Sequence, residues 1–203
     1  MQKFYKIVSG LTVPLFIPTY GLMLLLNMNV FSILPYEWKM LAIGGTFFFT
    51  ILMPALPILW MIRKGNISNV MISKKEERTI PYLFTFVGYA MWTFFLWKIM
   101  HFPFFIVAMA ISCTISILLV AMINLKWKVS AHMSGMGGLV GSVIGISYVT
   151  AMNPVGLICF VLLLSALVAL ARLELKAHTP LQVFVGFVMS CLLMILPCLF
   201  FIN

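Results

Sequence analysis

The chain has 203 residues, 64% of them apolar and only 8% charged, with a mean hydropathy of +1.16 and a net charge of +9. Soluble domains carry about 25% charged residues, so this composition excludes one and implies a polytopic membrane protein whose cations sit in loops at lipid headgroups. No soluble basic domain exists to hold a nucleic acid, and the four cysteines all fall inside apolar runs, where they set no disulfide framework.

At roughly 20 apolar residues per crossing, the chain divides into seven spans. Met1–Lys6 reads as a short basic start. The first span lies within Ile7–Pro35, a run far longer than the apolar region of about 7–15 residues in a cleavable signal. Pro14 and Pro18 predict an irregular or interfacial beginning for it. Glu37 and Lys39 mark a turn before span two, Met40–Ile62, in which Pro54 and Pro57 predict a kink. A polar stretch, Arg63–Arg78, ends in Lys74-Lys75-Glu76-Glu77-Arg78, and Thr79-Ile80-Pro81 leads into span three, about Tyr82–Trp97.

Lys98–Pro103 is a second short turn, followed by span four to about Asn124. Lys126-Trp127-Lys128 marks an interface, and Val129-Ser130-Ala131-His132 precedes a charge-free run that Asn153-Pro154 divides into span five, about Met133–Met152, and span six, about Val155–Ala171. The polar island Arg172–Gln182 follows, and span seven runs from Pro180 to the C-terminus. The expected fold is all-α: one domain over 1–203, a membrane bundle of six to seven transmembrane helices. Within span five, Gly137, Gly141 and Gly145 recur at every fourth residue, a close-packing face for a neighbouring helix of the same chain or, in a homo-oligomer, of a second copy.

The polar loops follow spans two, four and six and so share one membrane face. Thr179 is a good N-cap and Pro180 suits the first helical position, which places His178 just outside a helix N-terminus. His132 likewise precedes a long apolar run, with Ser130 able to cap it. Two imidazoles at helix N-termini on one face, with Arg172, Arg78 and a lysine nearby, fit phosphoryl chemistry. One histidine attacks phosphorus, the other donates to the leaving oxygen, and the cations neutralise the equatorial oxygens. Lys74 and Lys75 share a face with Arg78 if that stretch is helical. Lys3, Lys6, Lys126 and Lys128 read as headgroup anchors. No HExxH, CxxC or P-loop lysine occurs, so neither a metal nor a cofactor is expected.

Arg172-x5-His178-x3-Gln182 resembles the third signature of the type 2 phosphatidic acid phosphatase superfamily, Ser-Arg-x5-His-x3-Asp. Val129-Ser130-Ala131-His132 resembles its second signature, Pro-Ser-Gly-His, and the Lys75/Arg78/Pro81 cluster sits where the first, Lys-x6-Arg-Pro, is expected. Order and spacing agree from about Lys74 to Gln182, and the phosphatase-like core spans about 63–203. The resemblance implies a metal-independent phosphatase in which His178 is the nucleophile, His132 the general acid, and Gln182 the acceptor orienting His178. Arg172, Arg78, Lys75, Lys74 and Ser130 would then bind phosphate. The sequence departs from the family at Gln182 (Asp), Ala131 (Gly), Val129 (Pro), Ala171 (Ser) and Met71 (Lys), and Pro81 stands three residues after Arg78.

The implied substrate is a lipid phosphomonoester or polyprenyl diphosphate, reached from the surrounding membrane lipids. A relative that binds or moves a phospholipid without hydrolysing it is the second reading, and a structural membrane subunit the third. The motif face collects nearly all the lysines and arginines, leaving only Lys39 and Lys98 opposite. The positive-inside rule then puts that face in the cytoplasm of a bacterial inner membrane. Bacterial members of the family often carry the site on the outer face, so both orientations stay open.

Overall fold

Among the described residues six stretches, against the seven spans expected, are long and apolar enough to cross a membrane: Gln2–Leu26, Tyr36–Arg63, Thr79–Ile99, Phe104–Lys126, Val155–Glu174 and Pro180–Cys198. The glycine- and serine-rich helix Ala131–Val149, where the sequence predicts span five, is not among them. The computed structural model describes residues 1–67 and 76–200, and all regular structure among them is helical. The chain is an integral membrane protein with an all-α fold.

The first span departs from expectation. Met1–Lys6 is not a lead-in: helix α1 already runs over Gln2–Leu11, with Lys3 and Lys6 on its exposed surface. Their long stems let the charged heads reach water while the backbone stays helical. The irregularity falls after α1 instead. Val13 precedes a proline and is pushed out of the helical region, to φ −53° and ψ 133°. A single 3-10 turn, Pro14–Phe16, then leads into α2, Ile17–Leu26.

In span two, α3 (Tyr36–Phe47) continues through a π-helical turn, Phe48–Leu52, into α4, Met53–Arg63. Pro54 has no N–H and its ring crowds the carbonyl of Thr50, so the helix widens just ahead of it; the expected kink is a wide turn. Span three is α5 (Thr79–Phe94) with a second π turn, Phe95–Ile99. The two wide turns meet where the rings of Phe49 and Phe95 lie 5.5 Å apart. Then follow α6 (Phe104–Lys126), α7 (Ala131–Val149), α8 (Val155–Glu174) and α9 (Pro180–Cys198).

Helix α7 organises the bundle. Thirteen of its 19 residues are buried, and its glycines let α9 approach at backbone distance. A Cβ on Gly137 would lie 2.0 Å from the Phe187 carbonyl oxygen, and one on Gly141 2.4 Å from that of Cys191. From the other side, a Cβ on Gly186 would meet the Ser130 carbonyl oxygen at 2.6 Å. The small-residue stripe therefore packs within the chain. Where α6, α7 and α9 meet, Ser134 and Ser116 each lie 2.6 Å from Ser190 and 3.2 Å from each other, so three buried hydroxyls satisfy one another. Because α8 returns the chain across the bundle, α7 and α9 run parallel and their N-termini lie side by side. The Ser130 N–H donates to the Gln182 carbonyl at 3.2 Å across that junction.

Candidate functional site

Both helix starts are capped by their own sequence. Ser130 accepts from the Met133 N–H at 3.4 Å. Thr179 and Gln182 form a capping box: the Thr179 hydroxyl accepts from the Gln182 N–H at 3.4 Å, and Gln182 Oε1 accepts from the Thr179 N–H at 3.1 Å. The same Oε1 lies 3.1 Å from His178 Nδ1. This geometry settles a tautomer. A backbone N–H can only donate, so the amide atom facing it is the oxygen; that oxygen can only accept, so His178 Nδ1 carries the proton. Nε2 is left with its lone pair. Gln182 thus caps α9 and orients His178 with one atom.

The turn that delivers His178 is itself built by a helix end. Helix α8 closes with the Ala177 N–H bonded to the Arg172 carbonyl and the Lys176 N–H to the Leu173 carbonyl, a Schellman closure with Lys176 in the left-handed region at φ 50°. Glycine is usual there, so the closure carries strain directly between Arg172 and His178.

Arg172 is 7% exposed and its Nη1 donates to the hydroxyl of Ser9. Its Nε has no hydrogen-bond partner, and among the described residues no carboxylate pairs with it. Arg78, 6% exposed, enters from the N-terminus of α5, where it hydrogen-bonds Tyr82 and lies close enough to Arg172 for the two charges to repel. His132 is buried, with the charges of Arg172 and Arg78 and the imidazole of His178 close by, and its Nε2 lies 3.1 Å from the Ser9 carbonyl oxygen. Burial, then repulsion from Arg172, holds His178 down to about 3; its bond to Gln182 offsets this only partly, and Arg78 and Lys128 add to it. His178 is therefore a neutral imidazole near neutral pH.

An open cleft at this end is lined by Lys128, Leu173, Lys176, His178, Thr179 and Gln182. Lys128 belongs to it, although its basic-aromatic setting suggests a headgroup anchor. Partial burial and the charges of Arg78 and Arg172 lower its pKa. His178, His132, Gln182, Arg172, Arg78 and Ser130 thus converge on one region. Lys74 and Lys75 lie outside the described residues. Ser130 is fully buried with its hydroxyl committed to the α7 cap. Sequence reasoning missed Ser9, which no motif marks, and Lys128, whose role depends on which way a short loop turns.

Beside the site, an apolar cavity begins at Ala131 and Ser134, which flank His132, and follows α7 past Gly135 and Leu139 to Ile146. Fifteen residues of helix rise make this about 22 Å. The walls opposite are apolar residues of α2, α5 and α6, among them Leu22, Trp92 and Ile106. Compared with protein-family models, curated proteins and solved structures, the chain matches none.

Proposed function

We propose that this protein is an integral-membrane lipid phosphatase that releases phosphate from a lipid phosphomonoester or polyprenyl diphosphate through a phosphohistidine on His178, without a metal. The observation that carries this reading is the single Gln182 oxygen bonded to both the Thr179 N–H and His178 Nδ1. It leaves Nε2 of His178 unprotonated in a cationic, buried site at a helix N-terminus, the place where an anion is favoured.

In this mechanism His178 Nε2 attacks phosphorus and the bond to the lipid oxygen breaks. The phosphate brings negative charge among Arg172, Arg78 and Lys128, relieving their mutual repulsion, and the unpartnered Arg172 Nε is a donor available to it. The same charge favours a second proton on His132, at Nδ1, which passes to the leaving oxygen. Water then attacks the phosphohistidine, His132 takes its proton, and inorganic phosphate leaves. The cavity along α7 fits the role of a channel for one lipid chain, with the headgroup at the loops. The excess of cations on this face supports a cytoplasmic orientation in a bacterial inner membrane.

Gln182 favours a second reading, a lipid-binding relative that does not turn over, because a neutral amide lends the developing imidazolium no charge. Phosphate release by the purified protein in detergent, with EDTA and with phosphatidate, phosphatidylglycerol phosphate or undecaprenyl diphosphate, separates the two. Release that survives chelation and is abolished in His178→Ala supports the enzyme. Equal release in that variant ends the mechanism, and no release from any lipid leaves the binding reading.

A further inference from the structure

Helix α1 lies outside every signature, yet it ends inside the site. Ser9, fully buried, is bonded through both of its oxygens: its hydroxyl accepts from Arg172 Nη1 at 2.5 Å, and its carbonyl oxygen lies 3.1 Å from His132 Nε2. We propose that Ser9 is a positioning residue of the site, its carbonyl keeping the proton of His132 on Nε2 and its hydroxyl holding the Arg172 guanidinium at the anion position.

The reason this carbonyl is available lies in the helix end. The last four carbonyls of a helix have no intrahelical partner. In α1, Val8 is satisfied by the N–H and hydroxyl of Thr12, and Leu11 by the hydroxyl of Tyr20. Ser9 is satisfied by His132. The Ser9 hydroxyl also lies 3.4 Å from Nε2, but the carbonyl is closer, at 3.1 Å, and cannot donate, so the shorter contact puts the proton of His132 on Nε2 and leaves Nδ1 to exchange one with substrate or water. The negative end of the α1 dipole also faces these cations. His178 and His132 therefore hold opposite tautomers, one set by Gln182 and the other by Ser9.

The consequence for turnover rests on the phosphatase reading, whereas the geometry rests only on the hydrogen bonds. The test uses the full-length protein in detergent. Nitrogen-15 NMR of labelled histidine, assigned through His132→Asn, reads the tautomer of His132. Inorganic phosphate, titrated by thermal shift, reads the anion site in wild type, Ser9→Ala and Ser9→Thr. The expected results are an Nε2–H tautomer and phosphate affinity weaker by about 10-fold or more in Ser9→Ala, as for loss of one hydrogen bond to a charged group. Ser9→Thr, which keeps the hydroxyl, should recover most of it. An Nδ1–H tautomer overturns the role of the carbonyl. Unchanged affinity in Ser9→Ala overturns that of the hydroxyl, and tighter binding means that the hydroxyl merely occupies the place of phosphate. Wild-type protein that does not bind phosphate also overturns the Arg172 part. Wild-type protein that binds phosphate but releases none from any lipid refutes the phosphatase reading alone.

Discussion

Replacing Gln182 with glutamate tests the central geometry, because it changes charge without changing reach. Glutamate has the length of glutamine, so one carboxylate oxygen can keep both the Thr179 N–H and His178 Nδ1, each 3.1 Å from the present Oε1. Aspartate, one methylene shorter, would have to break the capping box or move His178. A negative charge about 4 Å from the imidazolium is worth about 4 kcal/mol at an effective dielectric of 20. At about 1.4 kcal/mol per pKa unit this is up to about 3 units. His178, now held down to about 3 by burial and by Arg172, should therefore rise to about 5–6 in Gln182→Glu. The imidazolium that forms as His178 attacks phosphorus is stabilised by the same charge, so turnover should rise at least about tenfold. The assay is histidine NMR titration beside phosphate release across pH. A His178 pKa that stays near 3 in a folded Gln182→Glu protein would show that Gln182 does not face the imidazole in solution. A raised pKa with unchanged or lower turnover would remove His178 as the nucleophile.

Gly137→Ala should destabilise the protein by about 3 kcal/mol and lower phosphate release, since its Cβ would stand 2.0 Å from a backbone oxygen of α9 and must push apart the two helices that carry the histidines; wild-type unfolding behaviour would refute that contact. Lys176→Gly should stabilise by about 0.5–1 kcal/mol by relieving the left-handed backbone at φ 50°, read by denaturant titration in micelles. If phosphate affinity falls in the same variant, the Lys176 ammonium binds anion as well. Acid should destabilise the fold. His178 is neutral in the folded protein down to about 3, while the unfolded chain binds its proton near 6.5, so stability is full above 6.5 and is lost as pH falls from there toward 3. The slope is on the order of 1 kcal/mol per pH unit, and it should flatten in His178→Ala; an equal slope in the variant would assign the titration elsewhere.

Much of this protein is legible along the chain because its causes are local. Apolar run length marks the spans, and Thr179-Pro180 and Ser130 announce helix starts from within one turn of sequence. The relation of His178 to Gln182 is a one-turn relation that holds whatever the rest of the bundle does. Proline effects are local too, although their outcome depends on how the helix yields: Pro54 is absorbed by a π turn rather than a bend, and Pro14 interrupts a helix that has already begun. Other features required the tertiary structure. That α7 and α9 run side by side follows from glycine contacts between helices that α8 separates in sequence. That Ser9 joins Arg172 and His132 follows from hydrogen bonds across 163 and 123 residues, and nothing in Val8-Ser9-Gly10 distinguishes it from any other serine in an apolar helix. That Lys128 lines the same cleft as His178 is equally a matter of packing. Periodicity, capping and proline sterics act within a turn or two and are written in sequence. Which faces meet is decided by the whole bundle, where burying a polar group is costly unless a distant partner satisfies it.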